Sequence, residues 1–583
     1  TLAICMGEEP VSLFLYGDMS VEAKAIRRVL YNGPVDIRNF IVEPVILTEI
    51  PSQANGLVTL LPVEVQPGME IVDWRGDLTY LTPGVDYRPT GCFTADCVET
   101  YQGEGPVMVD QVVVRFELLE DLKWSDGNPL TASDSVYSFQ LAQELFTNYL
   151  PDNLRFTQAY WALNDQKIEW RGVPGYQGIT YYTDYFFHPL PQYAWESLSI
   201  NELLNSSTTT VQPLGWGPYI ISEWKFGDHI SLRKNPYYFA ASENLPYYDQ
   251  LSFRFIKESE EALSAFLSGE CDLVANVNGL IEELENLKKL ETSGELKIVY
   301  QEGRAWEQAA FGISSLDPQT TNLFQEKETR KAIAQCLDRE TFVNEVAKAG
   351  EVANSYLPKN YPFNNQEETY IYAPQEAMEM LTEIGWVDHD QNPATARVAQ
   401  GVEGVEDDTA LSFEYYVLGE NVPETVKILQ DSLAQCGIEM TISPQSAESL
   451  LASGPEGPVF GRQFEMAQFA WSFSGGNLCR LFMSTEIPGP HPDYPKGWGG
   501  YNAPGYTNPE FDVACAQALT NLPDSEEAVW AHQRALEIFM EDLPVIPLYF
   551  WRDVILVKPE LEGLESGAFS LFWNLESYRP NSE

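Results

Sequence analysis

The chain has 583 residues, 44% hydrophobic and 13% aromatic, and its 86 Asp and Glu outweigh 35 Lys and Arg for a net charge of −51. That length exceeds a single core and predicts two or three lobes, and the apolar content excludes a disordered chain. A field of this sign repels phosphate backbones and anionic membrane surfaces, which excludes nucleic acid as a partner; no apolar run reaches the roughly 18 residues that span a bilayer.

In chain order, Leu2, Ile4 and Met6 suit a buried strand, and Cys5 is predicted to be core rather than a lipid-bearing residue. A start at Thr1 without Met suits a processed protein. The loop Gly7-Glu8-Glu9-Pro10 follows, then a helix from Val21 to Leu30. Short strands and turns dominate 43–180, where Cys92 and Cys97 share a polar loop and predict a local disulfide. Within it Val113, Arg115 and Glu117 alternate with Val114, Phe116 and Leu118, a half-buried strand. Ser125-Asp126-Gly127-Asn128-Pro129 makes a turn, and Thr131 with Asp134 has capping-box spacing for a helix carrying Val136 and Phe139 inward.

Gly215-Trp216-Gly217-Pro218-Tyr219 opens a hairpin that closes at Arg233-Lys234-Asn235-Pro236-Tyr237-Tyr238. Phe253 and Phe255 lie on a strand, 261–267 is a helix, and Ser268-Gly269-Glu270-Cys271-Asp272 is a turn. Helices run through Arg330 to Leu337, from Ala377 to a stop at Gly385, and from Val426 to a stop at Gly437. Leu543 to Tyr549 reads as a buried apolar strand. Cys479 and Cys515 flank a Gly/Pro-rich loop as a second candidate disulfide, whereas Cys271, Cys336 and Cys436 fall in apolar patterns that predict buried thiols.

These segments, in this order, resemble the family 5 solute-binding proteins of ABC importers, which capture oligopeptides, dipeptides, nickel complexes or oligosaccharides outside the cell. The resemblance runs through nearly the whole chain. It implies a mixed α/β, two-lobed periplasmic-binding-protein type II fold with an inserted domain and a hinged cleft. Carried over, lobe I is 1–42, 181–274 and 547–583; lobe II is the insertion 43–180; lobe III is 275–546. It further implies a monomer outside the cytoplasm, in the periplasm or on the outer surface, anchored through a removed N-terminal segment and docking on permease subunits.

Bond-making chemistry has no motif here. His188, His229, His389, His491 and His532 are scattered without ligand spacing, no Cys-x-x-Cys or Cys/His pattern implies a metal, and the Gly-rich 497–500 lacks the Lys-Ser/Thr of a phosphate loop. No cofactor is expected. A secreted hydrolase is the alternative from another class and would need two poised carboxylates or a nucleophile.

The resemblance places the ligand on two segments, Trp306-Glu307 and Trp471-Ser472-Phe473-Ser474, with Tyr501 and Asn502 adding stacking and amide contacts. Many peptide-binding members carry an aspartate shortly after the Ala-Trp pair, where it holds the ligand's ammonium. Here Ser472-Phe473-Ser474 has no carboxylate, and a charge-assisted bond worth ~1.5–3 kcal/mol is missing. Either Glu9 or Glu307 takes that role, or the ligand has no free amino terminus. Oligopeptide is the expected ligand, with oligosaccharide as the alternative.

Overall fold

The structure is a computed structural model describing residues 1–581, apart from 148–149, 318–321, 347, 349, 365–369, 391, 393–394, 420, 422, 473–475 and 566–570 and the side chains of Glu302, Arg304 and Asn477. The chain divides into two compact units, one of 1–302, 522–524 and 552–583, the other of 303–521 and 525–551. The first contains the stretches assigned above to lobes I and II, except 547–551, together with 275–302 and 522–524.

The first unit is built from strands β1 (Leu2–Met6), β2 (Val58–Val65), β3 (Val107–Glu117), β4 (Thr157–Ala162), β5 (Lys167–Gly172), β6 (Tyr219–Lys225), β7 (His229–Lys234), β8 (Gln250–Phe255) and β9 (Leu273–Ala275), with helices α1 (Val21–Leu30), α2 (Ala132–Leu145) and α3 (Ser259–Leu267). One sheet runs β6-β7-β8-β1-β9, the other β4-β5-β3-β2. Strand β1 lies parallel to both neighbours, Ile4 opposite Phe253 and Leu273. An inner parallel strand is covered on both faces, which is why it reads as an apolar run rather than an alternation. Over 113–118 the expected alternation holds, with Val114, Phe116 and Leu118 buried and Arg115 exposed, except that Val113 of strand β3 is buried too. The strand pairs with β2 and β5 on either side, and every side chain from Val109 to Val114 is buried.

The motifs of this unit meet at one buried point. The Asp134 carboxylate accepts from the Thr131 amide at 2.9 Å, the Gln192 amide at 3.0 Å and Trp124 Nε1 at 3.3 Å, so one residue caps α2 and fixes the turn before it. Trp124 packs edge-on against Trp216, with ring centroids 5.6 Å apart, and Trp216 Nε1 donates to the Asn32 carbonyl at 2.6 Å. The Ser125 amide donates to the Gly215 carbonyl, the Gly217 amide to that of Leu30, and Asn235 Nδ2 to that of Gly217. A Cβ on Gly215 would lie 2.1 Å from the Leu30 carbonyl oxygen, so only glycine fits where the hairpin crosses α1.

The second unit holds strands β10 (Lys297–Phe311), β11 (Ser412–Leu418), β12 (Glu439–Gln445), β13 (Met466–Ser472) and β14 (Val545–Val557), the first and last of which also carry the chain between the units. Its helices include α4 (Lys327–Cys336), α5 (Pro374–Ile384), α6 (Val426–Ala434), α7 (Pro509–Thr520) and α8 (Glu526–Asp542). Strand β11 is parallel to β12 and β13, and β13 is antiparallel to β10. Phe311, Phe324, Ile333, Trp386, Phe413 and Leu429 centre the core. Helix α5 stops at Gly385, whose φ of 114° and 2.6 Å approach to the Gln400 carbonyl oxygen explain the glycine.

All eight cysteines are paired. Cys92–Cys97 and Cys479–Cys515 are disulfides. The expectation of buried thiols at Cys5, Cys271, Cys336 and Cys436 is overturned by two further bonds, Cys5–Cys271 and Cys336–Cys436, with Cα separations of 5.8 and 6.3 Å. The parallel register of β1 and β9 carries the segment ahead of β9 past Cys5, and the ends of α4 and α6 bring the other two together. A buried thiol and a buried cystine have the same apolar surroundings, so sequence pattern does not separate them.

Candidate ligand-binding site

The antiparallel register of β10 and β13 sets Trp306 opposite Trp471, Glu307 opposite Ala470 and Gln308 opposite Phe469. Side chains alternate across a strand, so Glu307 shares a face with Ala309 and Phe311 of the core, and Trp306, Gln308, Phe469 and Trp471 share the other.

On the core face Glu307 is 6% exposed. Its Oε1 accepts from Gln468 Nε2 at 3.1 Å and its Oε2 from Trp551 Nε1 at 3.2 Å, and the Tyr415 hydroxyl donates to Gln468 Oε1 at 3.0 Å. Burial raises the Glu307 pKa above the ordinary carboxylate range, and the two donors pull it partly back. Burial, then the charge of Glu307, pushes the Tyr415 and Tyr549 hydroxyls upward.

The described side chains of the other face around Trp306 are aromatic or neutral. Trp306 is 0% exposed, and its ring lies 6.4 Å from that of Phe550 at a 31° tilt. Trp471 is half-buried and takes edge-on contacts from Phe460, Phe469 and Tyr501, at centroid distances of 6.1, 6.0 and 5.8 Å. Tyr501 is 45% exposed and Ser472 is exposed. Gln308 is 1% exposed, and neither amide atom has a hydrogen-bond partner among the described residues; the same holds for Trp306 Nε1.

The second unit thus brings together Trp306, Trp471 and Tyr501, with Glu307 on the reverse face, where Ser472 also falls at the exposed end of β13. Phe473 and Ser474 lie outside the described residues. Asn502 is buried and fully engaged: Nδ2 donates to the carbonyls of Phe482, Met483 and Tyr506, and Oδ1 accepts from the Tyr506 amide. It braces the loop that carries Tyr501. Glu9 belongs to the first unit, where its carboxylate accepts from Trp224 Nε1 at 2.7 Å and the Gly227 amide at 2.9 Å, holding the β6–β7 hairpin. Gln308, Tyr415 and Trp551 were not singled out from sequence. Gln308 was within reach, being two residues from Trp306 on a strand and therefore on its face. Trp551 was not, because nothing local ties it to Glu307.

Among the described residues no group of three or more His, Cys, Asp or Glu is gathered to hold a metal ion, and no helix is long and apolar enough to cross a membrane.

Residues 106–485 match the bacterial extracellular solute-binding proteins, family 5 (middle region). The oligopeptide-binding protein AppA of Bacillus subtilis is 24% identical over 482 residues, covering 79% of this chain and 80% of that protein. The periplasmic oligopeptide-binding protein OppA of Salmonella typhimurium is 24% identical over 493 residues, covering 78% and 79%. The solved structure of Bacillus subtilis AppA in complex with a nonapeptide superposes with a TM-score of 0.56 at 19% identity, covering 99% of this chain and 98% of that one. With the family matched over most of the chain and the fold shared end to end, the chain belongs to the family 5 extracellular solute-binding proteins of ABC importers.

Proposed function

We propose that the protein captures an oligopeptide outside the cytoplasm and hands it, unaltered, to the permease subunits of an ABC importer. The observation that carries this reading is the aromatic face of β10 and β13, where half-buried Trp471 and exposed Tyr501 stand beside amide and indole groups unpartnered among the described residues. Aromatic surface with a few placed polar groups is the usual character of a ligand site. Two relatives named as oligopeptide-binding proteins, each matched over more than three quarters of its length, support the ligand class. Trp471 and Tyr501 would touch the ligand, Ser472 would offer it backbone groups at the strand end, and Phe473 and Ser474 would continue the same segment. The protein would act as a monomer held near the membrane by an anchor.

Native mass spectrometry of protein purified without refolding tests this, followed by gentle denaturation to release what co-purified. A ladder of peptides with mixed sequence and similar length is the expected result. Masses spaced by a hexose would replace the peptide with an oligosaccharide, and a turnover product formed from an added peptide would replace binding with hydrolysis.

A further inference from the structure

Among the described residues with a buried, unpartnered side-chain atom, Gln308 is the one with two. Buried amides are nearly always hydrogen-bonded, yet its oxygen and nitrogen both lack a partner among the described residues while the residue is 1% exposed. Trp306 Nε1, two residues away on the same face of β10, is also without one. One acceptor and two donor groups are therefore left over side by side, bordered by Phe469 and Trp471 on β13. Among the described side chains of β10 and β13, none on this face is charged. The two carboxylates that could hold a ligand's ammonium are engaged elsewhere: both oxygens of Glu307 accept from Gln468 and Trp551, and both of Glu9 from Trp224 and Gly227.

We infer that Gln308, with Trp306 beside it, is the specificity-determining residue of the ligand face and reads a main-chain amide of the bound peptide rather than its amino terminus. This rests on the oligopeptide reading above. A carboxamide can pair with one residue of an extended peptide: its NH2 donates to that residue's carbonyl while its oxygen accepts from that residue's N–H, the two leaving the chain on the same side. The indole N–H supplies one more donor, to a neighbouring carbonyl. The atoms are buried behind the Trp306–Phe550 ring contact, so a peptide that reaches them must displace that contact. Recognition of this kind is indifferent to a free ammonium, so blocked and internal peptide segments bind as well as free ones. It also leaves the unliganded chain with an amide whose burial is uncompensated.

The full chain, stripped of co-purified material with its disulfides intact, is offered an equimolar pool of random octapeptides, half of them N-acetylated. The captured set is read by mass spectrometry, alongside Gln308→Met. Wild type should take acetylated and free peptides in a ratio of about one. Gln308→Met should capture about ten-fold less, the loss expected for two hydrogen bonds to ligand. Without peptide it should melt a few degrees above wild type, because the orphaned amide is gone. Enrichment of free over acetylated peptides by about ten-fold or more, unchanged capture by Gln308→Met, or a lower melting temperature for that variant would each overturn the inference while leaving the oligopeptide reading intact. A folded wild type that captures neither half of the pool would overturn the oligopeptide reading itself.

Discussion

Two regions centred on tryptophan, one in each unit, treat their indole N–H groups in opposite ways. In the first unit the motif residues converge, and each indole there is spoken for: Trp124 donates to Asp134 and Trp216 to the Asn32 carbonyl. Trp170 and Trp386, equally buried, donate to Thr157 and Thr329. In the second unit Trp306 is as deeply buried and donates to nothing among the described residues, and Gln308 shares its state. Polar groups that hold a fold together are consumed by it; those left over are what a ligand can use. The strongest sequence motifs of this chain mark the first kind of region.

The largest expected effect breaks the consumed region. Gly215→Ala sets a methyl group 2.1 Å from the Leu30 carbonyl oxygen, a backbone atom that cannot swing aside. We expect a loss of about 3 kcal/mol or more in chemical unfolding. Gly499→Ala, in the loop leading to Tyr501, meets open space and should stay within about 0.5 kcal/mol of wild type. Equal stability of the two variants would remove the distinction. Asp134→Ala comes next, since one carboxylate serves the Thr131 and Gln192 amides and the Trp124 indole. Its loss should cost about 2 kcal/mol, and Asp134→Asn should recover part of it.

Two buried titratable groups of the second unit sharpen the comparison through opposite pH dependences. His532 stacks on Phe363 at 4.3 Å, and burial pushes its pKa down to about 4. Between an unfolded value of about 6.5 and that folded value the unfolded chain takes up a proton that the folded chain does not, so stability falls as pH drops through the window, by up to about 1.4 kcal/mol per pH unit. His532→Phe should flatten that slope in urea titrations at pH 7, 5.5 and 4. Glu307 runs the other way. Its folded pKa is raised, so its contribution is fullest below the ordinary carboxylate range and is lost as pH rises through the folded value. Glu307→Gln removes this dependence and should gain on wild type between pH 4 and pH 8. A constant offset of about 1 kcal/mol opposes the gain, because one amide oxygen cannot serve both Gln468 and Trp551.

Legibility follows the same division. The helix expected from Val21 to Leu30 has those bounds in the structure, Thr131 and Asp134 form their capping box, and Gly385 ends its helix. Each rests on neighbours in sequence and on a steric demand that few residues meet. The pairings Cys5–Cys271 and Cys336–Cys436 span 266 and 100 residues and leave no local trace. The candidate site was half legible. Trp306 and Trp471 were named, but that they oppose one another, that Gln308 shares their face and that Asn502 is a brace all depend on the β10–β13 register and on a loop conformation. Glu307 and Glu9 looked like spare acids in a list of 86, and only their hydrogen-bond partners reveal that they are engaged.

The smallest effect separates global charge from local recognition. A net charge of −51 makes the folded chain repel itself, and added salt screens that repulsion over a Debye length that shrinks from about 10 Å at 0.1 M to about 3 Å at 1 M. The melting temperature should therefore rise by a few degrees across that range. Trp306, Gln308, Phe469 and Trp471, on one face of β10 and β13, are uncharged, so the affinity of an uncharged, doubly blocked peptide for them should move by less than about two-fold over the same range. A steep loss of affinity with salt would point to an ionic contact and to a carboxylate outside this face as the anchor. Salt dependence of stability without salt dependence of binding is the signature expected when the acidic surface keeps the protein soluble and neutral amide groups select the ligand.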